Sequence, residues 1–190
     1  LIRRQLQKSR RDSLGTTVRE NILFGTEYNE ERYREVLYAC ALEPDLDILE
    51  HHDETEVGEK GTSLSGGQKA RIALARSFYS YARHILIDDA LSAVDAQTAE
   101  HLYHHCFHGP LAKDRTIVLV THSVSLVLPT AVYAVVMDNG RISAEGKPMD
   151  LIQTGRINST LQDPVPVAPF FQAENRASSE HEDKSNAAYK

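Results

Sequence analysis

The sequence has few cysteines, no long apolar run and no excess of positive charge. Its two cysteines, Cys40 and Cys106, fall inside helical patterns, which suits a reducing compartment, and the chain reads as cytosolic. No stretch approaches the roughly 20 apolar residues that span a bilayer, so any membrane association must come through partner transmembrane segments. A formal net charge of −6 argues against broad nucleic-acid binding. No Gly-x-x-x-x-Gly-Lys-Ser/Thr occurs anywhere, so the loop that cradles phosphates, with its lysine, is missing from these 190 residues. What remains is long enough to bury a sizeable core.

What is present centres on Leu64-Ser65-Gly66-Gly67-Gln68. The two glycines let the backbone approach a ligand, while Ser65 and the free N–H groups of a helix starting near Gln68 aim partial positive charge outward. An anion belongs at such a helix start, although Ser-Gly-Gly alone is also an ordinary capping turn. The helix places Ile72, Ala75, Phe78 and Tyr79 on one side, with Lys69, Arg71 and Arg76 elsewhere. Next comes a short apolar run, Ile85-Leu86-Ile87, that ends in Asp88 and Asp89 and reads as a buried parallel strand. Paired carboxylates at a strand end suit Mg²⁺; the bland alternative is a solvated turn.

Ser92-Ala93-Val94-Asp95 precedes a helix expected from about Thr98 to Phe107. A second buried strand, Thr116 to Thr121, stops at His122. Parallel pairing would put His122 on the same sheet edge as Asp88 and Asp89, where a neutral imidazole can bond a terminal phosphate. Upstream, Asn29 to Ala41 reads as a helix capped by Asn29, with Tyr33, Val36, Leu37 and Cys40 on one face, closed before Pro44. Downstream, Asn139-Gly140 between Ala131–Asp138 and Arg141–Glu145 predicts a hairpin. His101, His104, His105 and His108 have helical metal-ligand spacing, but no carboxylate or second helix closes a tetrahedron, and a solvated helix face is the reading kept.

In order, these motifs resemble the nucleotide-binding domain of ABC ATPases: the signature at 64–68, Ile85 to Asp88 as Walker B, Ser92 to Asp95 as D-loop and His122 as switch histidine. Thr17-Val18-Arg19-Glu20-Asn21-Ile22-Leu23-Phe24-Gly25, Glu56 to Gly61 and Asp88 to Asp95 are similar to the first of two such domains in C-subfamily, multidrug-resistance-associated exporters, with fungal phrasing. The resemblance covers roughly residues 16 to 155.

The resemblance implies an α/β, P-loop NTPase-like parallel sheet with a helical subdomain, truncated at its N-terminus. Residues 1–15 form an atypical basic segment that departs from the family pattern: Ser9, Arg10 and Arg11 stand where the Q-loop glutamine is expected. That segment reads as a fragment edge, with a transit peptide as the alternative. Residues 16–160 form a partial nucleotide-binding domain, divided into a helical subdomain over 16–70 and a core over 71–160. Exposed apolar surface is expected where the remainder of the domain would pack. Residues 161–190, rich in proline and charge, read as a disordered linker.

The family pattern also implies ATP and Mg²⁺ as cofactors and a second nucleotide-binding domain as a head-to-tail partner. Transmembrane domains outside this chain would hold it at the cytoplasmic face of a membrane. Ser65, Gly66, Gly67 and Gln68, with Asp95, would contact nucleotide held by the partner. Asp88 would hold Mg²⁺ through water, and Asp89 takes the place of the glutamate that positions the attacking water. Its side chain is about 1.5 Å shorter, which implies a weakly hydrolytic first site. Two alternatives stay open: a soluble ABC ATPase of DNA repair or chromosome organisation, and a truncated, non-catalytic interaction module. Because the phosphate loop is missing, the isolated 190-residue chain is expected neither to bind MgATP at micromolar concentration nor to hydrolyse it. Titration calorimetry that finds tight one-to-one binding overturns this.

Overall fold

A computed structural model of the chain describes residues 16–58 and 62–157. The readings made for residues 1–15, for Glu59-Lys60-Gly61 and for 161–190 lie outside them. Contacts divide the chain into two units, one up to Thr130 and one from Ala131. Among the described residues no helix is long and apolar enough to cross a membrane.

In the first unit, β1 (Thr16–Thr17) runs directly into α1 (Val18–Leu23). The start of α1 is a capping box: Glu20 N donates to Thr17 Oγ1 at 3.1 Å, and Thr17 N donates to the Glu20 carboxylate at 3.0 Å. The next helix, α2 (Glu30–Ala39), is capped by Asn29, whose side chain accepts from Arg32 N at 2.9 Å. It buries Tyr33, Val36 and Ala39, with Cys40 following, while the expected core residue Leu37 is only partly buried. The helix closes before Pro44 as expected, but the chain then turns into a further short helix, α3 (Glu43–Asp47), with the proline in its first turn, where a missing N–H costs nothing. A two-residue strand, β2 (Glu56–Val57), then pairs antiparallel with β1.

The longest helix, α4 (Gly66–Tyr79), starts two residues earlier than the sequence reading placed it. It buries Ile72, Leu74, Ala75, Phe78 and Tyr79. Its C-terminal carbonyls are gripped from two sides. Arg32 donates to Phe78 O (2.9 Å), Tyr79 O (2.8 Å) and Ser80 O (3.0 Å), and Arg115 donates to Phe78 O at 3.2 Å and to Ser80 O. Placing cations on the unpaired C-terminal carbonyls of a helix satisfies both the acceptors and the dipole. Burial, and then the neighbouring Arg32 charge, lower the pKa of Arg115. The buried Tyr79 completes the junction: its hydroxyl donates to Glu27 O at 2.7 Å and accepts from Asn29 N at 2.8 Å, tying the end of α4 to the start of α2.

The parallel element is the pair β3 (His84–Asp88) and β4 (Thr116–Val120), in register from His84 opposite Thr116 to Asp88 opposite Val120. Both strands were expected to be buried. Only one face is: Ile85 and Ile87 enter the core, whereas Leu86, Val118 and Val120 are 44%, 51% and 58% exposed. The pair is covered on one side only, so alternate residues meet solvent. Exposed apolar surface of the expected kind therefore lies on this sheet face.

Between the strands, α5 (Ala96–Leu102) begins earlier than Thr98 because Asp95 caps it, and it widens into a π turn over Tyr103–Phe107. The π turn brings Cys106 Sγ to 3.4 Å from Cys40 Sγ and to 3.0 Å from Ala39 O. Both thiols are free and buried, and burial raises the Cys40 pKa well above its ordinary value. After β4 comes a single helical turn, α6 (Val124–Val127).

The second unit holds β5 (Ala134–Asp138) and β6 (Arg141–Gly146), an antiparallel hairpin, and then α7 (Pro148–Gln153). Asn139 and Gly140 both take positive φ, 46° and 74°, as a two-residue primed turn requires.

The grip on α4 yields a test. Replacing Arg32 by methionine leaves Phe78 O and Ser80 O to Arg115 and takes the cation from Tyr79 O, and the chain should lose about 2 kcal/mol of unfolding free energy in urea melts. A loss below about 0.5 kcal/mol would show that Arg115 suffices alone.

Candidate functional site

The start of α4 is organised as a second capping box. Ser65 has extended backbone angles (φ −65°, ψ 165°); its Oγ accepts from Gln68 N at 3.1 Å, and its own N–H donates to Gln68 Oε1 at 2.8 Å. Three donors remain. A serine hydroxyl that accepts through its oxygen still has its proton to give. The N–H groups of Gly66 and Gly67 have no backbone partner among the described residues. These donors sit at the positive end of a 14-residue helix, an arrangement that favours an anion.

The two glycines do different things. A Cβ on Gly66 would meet nothing within 4 Å, so that face is open. A Cβ on Gly67 would lie 2.9 Å from Ala93 O, so the helix start is pressed against the Ser92–Asp95 segment. The structure thus brings the signature and the D-loop together through a contact that only glycine permits.

Asp95 spends its carboxylate on capping α5, accepting from Thr98 N at 2.9 Å and Thr98 Oγ1 at 2.7 Å. Those bonds, the hydroxyl first, hold its pKa below the ordinary carboxylate value. A depressed carboxylate favours the fold above its unfolded pKa of about 4, and the benefit fades as pH falls through the lower folded value.

Asp88 closes β3 and is exposed; His122 follows β4 two residues beyond Val120, the residue opposite Asp88. Both therefore stand at the same, carboxyl end of the parallel pair. Asp89 lies between strand and loop in the left-handed region, φ 48°, with its N–H donating to Val120 O at 2.8 Å. Its carbonyl accepts from Ser92 Oγ at 2.8 Å, which closes the turn. Asp89 Oδ1 is buried with no hydrogen-bond partner among the described residues. An orphaned acceptor in this position is the kind of group a bound ligand or water satisfies. No hydrogen bond among the described residues joins Ser65–Gln68 to Asp88, Asp89 or His122.

Elsewhere, the His101 and His105 rings lie 4.3 Å apart, and each meets Tyr38 edge-on. Among the described residues no group of three or more histidine, cysteine or acidic side chains is placed to hold a metal.

Sequence reasoning missed the supports behind the signature. Gln68 Nε2 donates to Asp45 Oδ1 at 3.1 Å, and Arg71 NH1 lies 2.7 Å from Asp45 Oδ2. Arg76, read as a polar-face residue, donates to Asn21 O at 2.7 Å and Asn21 Oδ1 at 2.9 Å, with its guanidinium 4.4 Å from the Phe24 ring centre. The spacing of Gln68 and Arg71 along one helical face was visible; the carboxylate they meet was not, because it lies on a helix that Pro44 disguised.

A family model described as "ABC transporter" matches residues 3–92. The chain belongs to the ABC transporter family. It is 50% identical over 148 residues to ABC transporter 7 of Pyricularia oryzae, which covers 78% of this chain and 9% of that protein. It is 51% identical over 142 residues to the ATP-dependent bile acid permease of Saccharomyces cerevisiae, 75% of this chain and 8% of the relative. To the ABC transporter ATP-binding protein/permease VMR1 of the same yeast the identity is 53% over 142 residues, 75% of this chain and 9% of the relative. The chain thus spans under a tenth of the length of each of these three curated relatives. The match makes the α/β fragment part of a P-loop NTPase fold, in a family that binds nucleotide.

The different roles of the glycines can be measured by urea unfolding. Gly67→Ala must push back the Ala93 carbonyl and should cost about 1–3 kcal/mol, whereas Gly66→Ala should stay within about 0.5 kcal/mol of the parent chain. Equal effects would mean that the signature and the D-loop are not in contact.

Proposed function

We propose that this chain is the signature-bearing part of the first of two nucleotide-binding domains of a C-subfamily exporter, coupling ATP binding and hydrolysis to export of a substrate across a membrane. The observation that carries the reading is the open, donor-lined start of α4. Ser65 and Gly66 are exposed, the N–H groups of Gly66 and Gly67 have no backbone partner among the described residues, and no side chain closes over Gly66. The residues fit half of a nucleotide site. They supply donors for a terminal phosphate but no phosphate-wrapping loop, so the nucleotide they serve is held by another domain, head to tail.

The opposite half-site on this chain is the acidic strand end. Mg²⁺, when bound with ATP, neutralises phosphate charge and orients the phosphoryl group. Asp88, exposed at the end of β3, is the residue to hold it through water. Asp89, in the turn with Oδ1 buried and unsatisfied, stands in the sequence where the base that orients water is expected. His122, at the same sheet edge, would donate to the terminal phosphate. Gln68 and Asp95 act through the caps they form, holding the first turns of α4 and α5 in place. Relatives named as permeases support membrane association; the cytoplasmic face and transmembrane partners belong to this proposal, as do the helical and core subdomains.

The test is Gly66→Asp in the full-length transporter that contains this sequence. It places a carboxylate where the phosphate should sit, and Gly66 has the room to accept it without disturbing the fold. Transport should collapse, photolabelling of the first site by an ATP analogue should survive, and nucleotide trapping at the second should be lost. First-site labelling lost with second-site trapping intact would show that the half-sites are paired the other way.

A further inference from the structure

We propose that Asp45 is a positioning residue for the signature: from α3 it selects the one orientation of the Gln68 amide that holds Ser65 and Gly66 ready for the partner domain's nucleotide. The proposal rests on the reading above that these residues face a phosphate. The argument begins with the amide. Gln68 Oε1 accepts from Ser65 N at 2.8 Å, and Gln68 Nε2 donates to Asp45 Oδ1 at 3.1 Å. Flipping the amide would set NH₂ against the Ser65 N–H and oxygen against a carboxylate, two repulsive contacts in place of two bonds. Asp45 is therefore what makes Gln68 an acceptor towards Ser65, and the capping box depends on it.

Asp45 is itself fixed. Arg71, one turn further along α4, brings NH1 to 2.7 Å from Asp45 Oδ2, with both side chains 16% exposed. That contact is out of line for a hydrogen bond, and Arg71 NH1 also donates to Ala41 O. The directional bond to Asp45 comes from Gln68, while Arg71 holds the carboxylate in place. The short helix α3 thus reads directly onto the start of α4: a displacement of Asp45 releases Gln68, then the Ser65 N–H, then the alignment of the outward donors.

The experiment compares two double variants of the full-length transporter. Asp45→Asn with Arg71→Met removes the ion pair but keeps an acceptor for Gln68. Asp45→Leu with Arg71→Met removes both, replacing a half-buried pair by apolar side chains that can pack. The asparagine variant should keep its KM for ATP within about twofold, and the leucine variant should raise it about tenfold with kcat little changed, as expected for loss of one charge-assisted hydrogen bond behind a binding group. Amide hydrogen exchange at residues 66–68 should quicken only in the leucine variant. Equal KM values in the two overturn the proposal, whatever the exchange shows. Should the leucine variant fail to fold, Gln68→Glu supplies the same test: it sets two carboxylates face to face and should raise KM, and adding Asp45→Asn should restore it. Absence of that rescue also overturns the proposal. Gly66→Asp run alongside separates the two levels: if it leaves second-site trapping intact, the parent reading fails, whereas lost trapping with equal KM values refutes Asp45 alone.

Discussion

The first unit depends on how the C-terminus of α4 is satisfied. A 14-residue helix that buries Phe78 and Tyr79 must also bring its last carbonyls near the core, where unpaired acceptors are costly. Arg32 from α2 and Arg115 from just before β4 meet that demand together, so one set of carbonyls fastens a helix before α4 and a strand after it. Two guanidiniums in one place repel each other; burial first, and then the Arg32 charge, lower the pKa of Arg115. Carbonyl acceptors and the rings of Tyr79 and Tyr81, 5.8 Å and 4.5 Å from the Arg32 guanidinium, offset that repulsion. With that end fixed, the other end of α4 can be left open to a ligand without the helix losing its place.

What could be read from the sequence was local chemistry. Asn29 before a charged first turn and Asn139-Gly140 between apolar runs carry their conformation in neighbouring residues and took the expected form, while Ser65 with Gln68 three residues on caps a helix that starts two residues before the expected place. The carboxyl-end placement of Asp88 and His122 followed from strand polarity alone. Contacts made across long sequence separations were not legible: Asp45 to Gln68 spans 23 residues and Arg32 to the end of α4 nearly 50. Pro44 misled because a proline that ends one helix can also open the next. The half-exposure of β3 and β4 escaped because continuous apolar runs look the same whether one face or both are covered.

The π turn shows a different kind of concealment. His101, His104, His105 and His108 suggested a regular helix, and the spacing implied paired faces. Instead, the helix widens at Tyr103 and stops against Gly109, where a Cβ would fall 2.0 Å from His105 O. Only glycine lets the chain leave so close to its own carbonyl. The widened turn directs Tyr103, Cys106 and Phe107 inward together, and Tyr38 occupies the space beside His101 and His105. Desolvation lowers the His105 pKa, with the neighbouring His101 and His104 adding to it. His101 and His105 are better explained as aromatic packing against α2 than as ligands, because both rings meet Tyr38 and His101 Nε2 is already bonded to Tyr38 O at 2.8 Å.

Asp89 joins backbone and chemistry in a single residue. The turn from β3 into the D-loop needs a left-handed residue there, since the Asp89 N–H reaches across to Val120 O while its carbonyl turns to Ser92. Among residues with a carboxylate, aspartate enters the left-handed region more readily than glutamate, because its short side chain makes local polar contacts that offset the steric cost. The same shortness holds Oδ1 in a buried place without a partner. On the proposed reading, the chain gains an unstrained turn and gives up reach towards the water that a longer side chain would hold. The signature, whose Gly66 face is open and whose donors are uncommitted, bears no such compromise. On the same reading, the asymmetry proposed between a half-site lent to a partner domain and a short-armed base kept for its own follows from one backbone angle and one methylene.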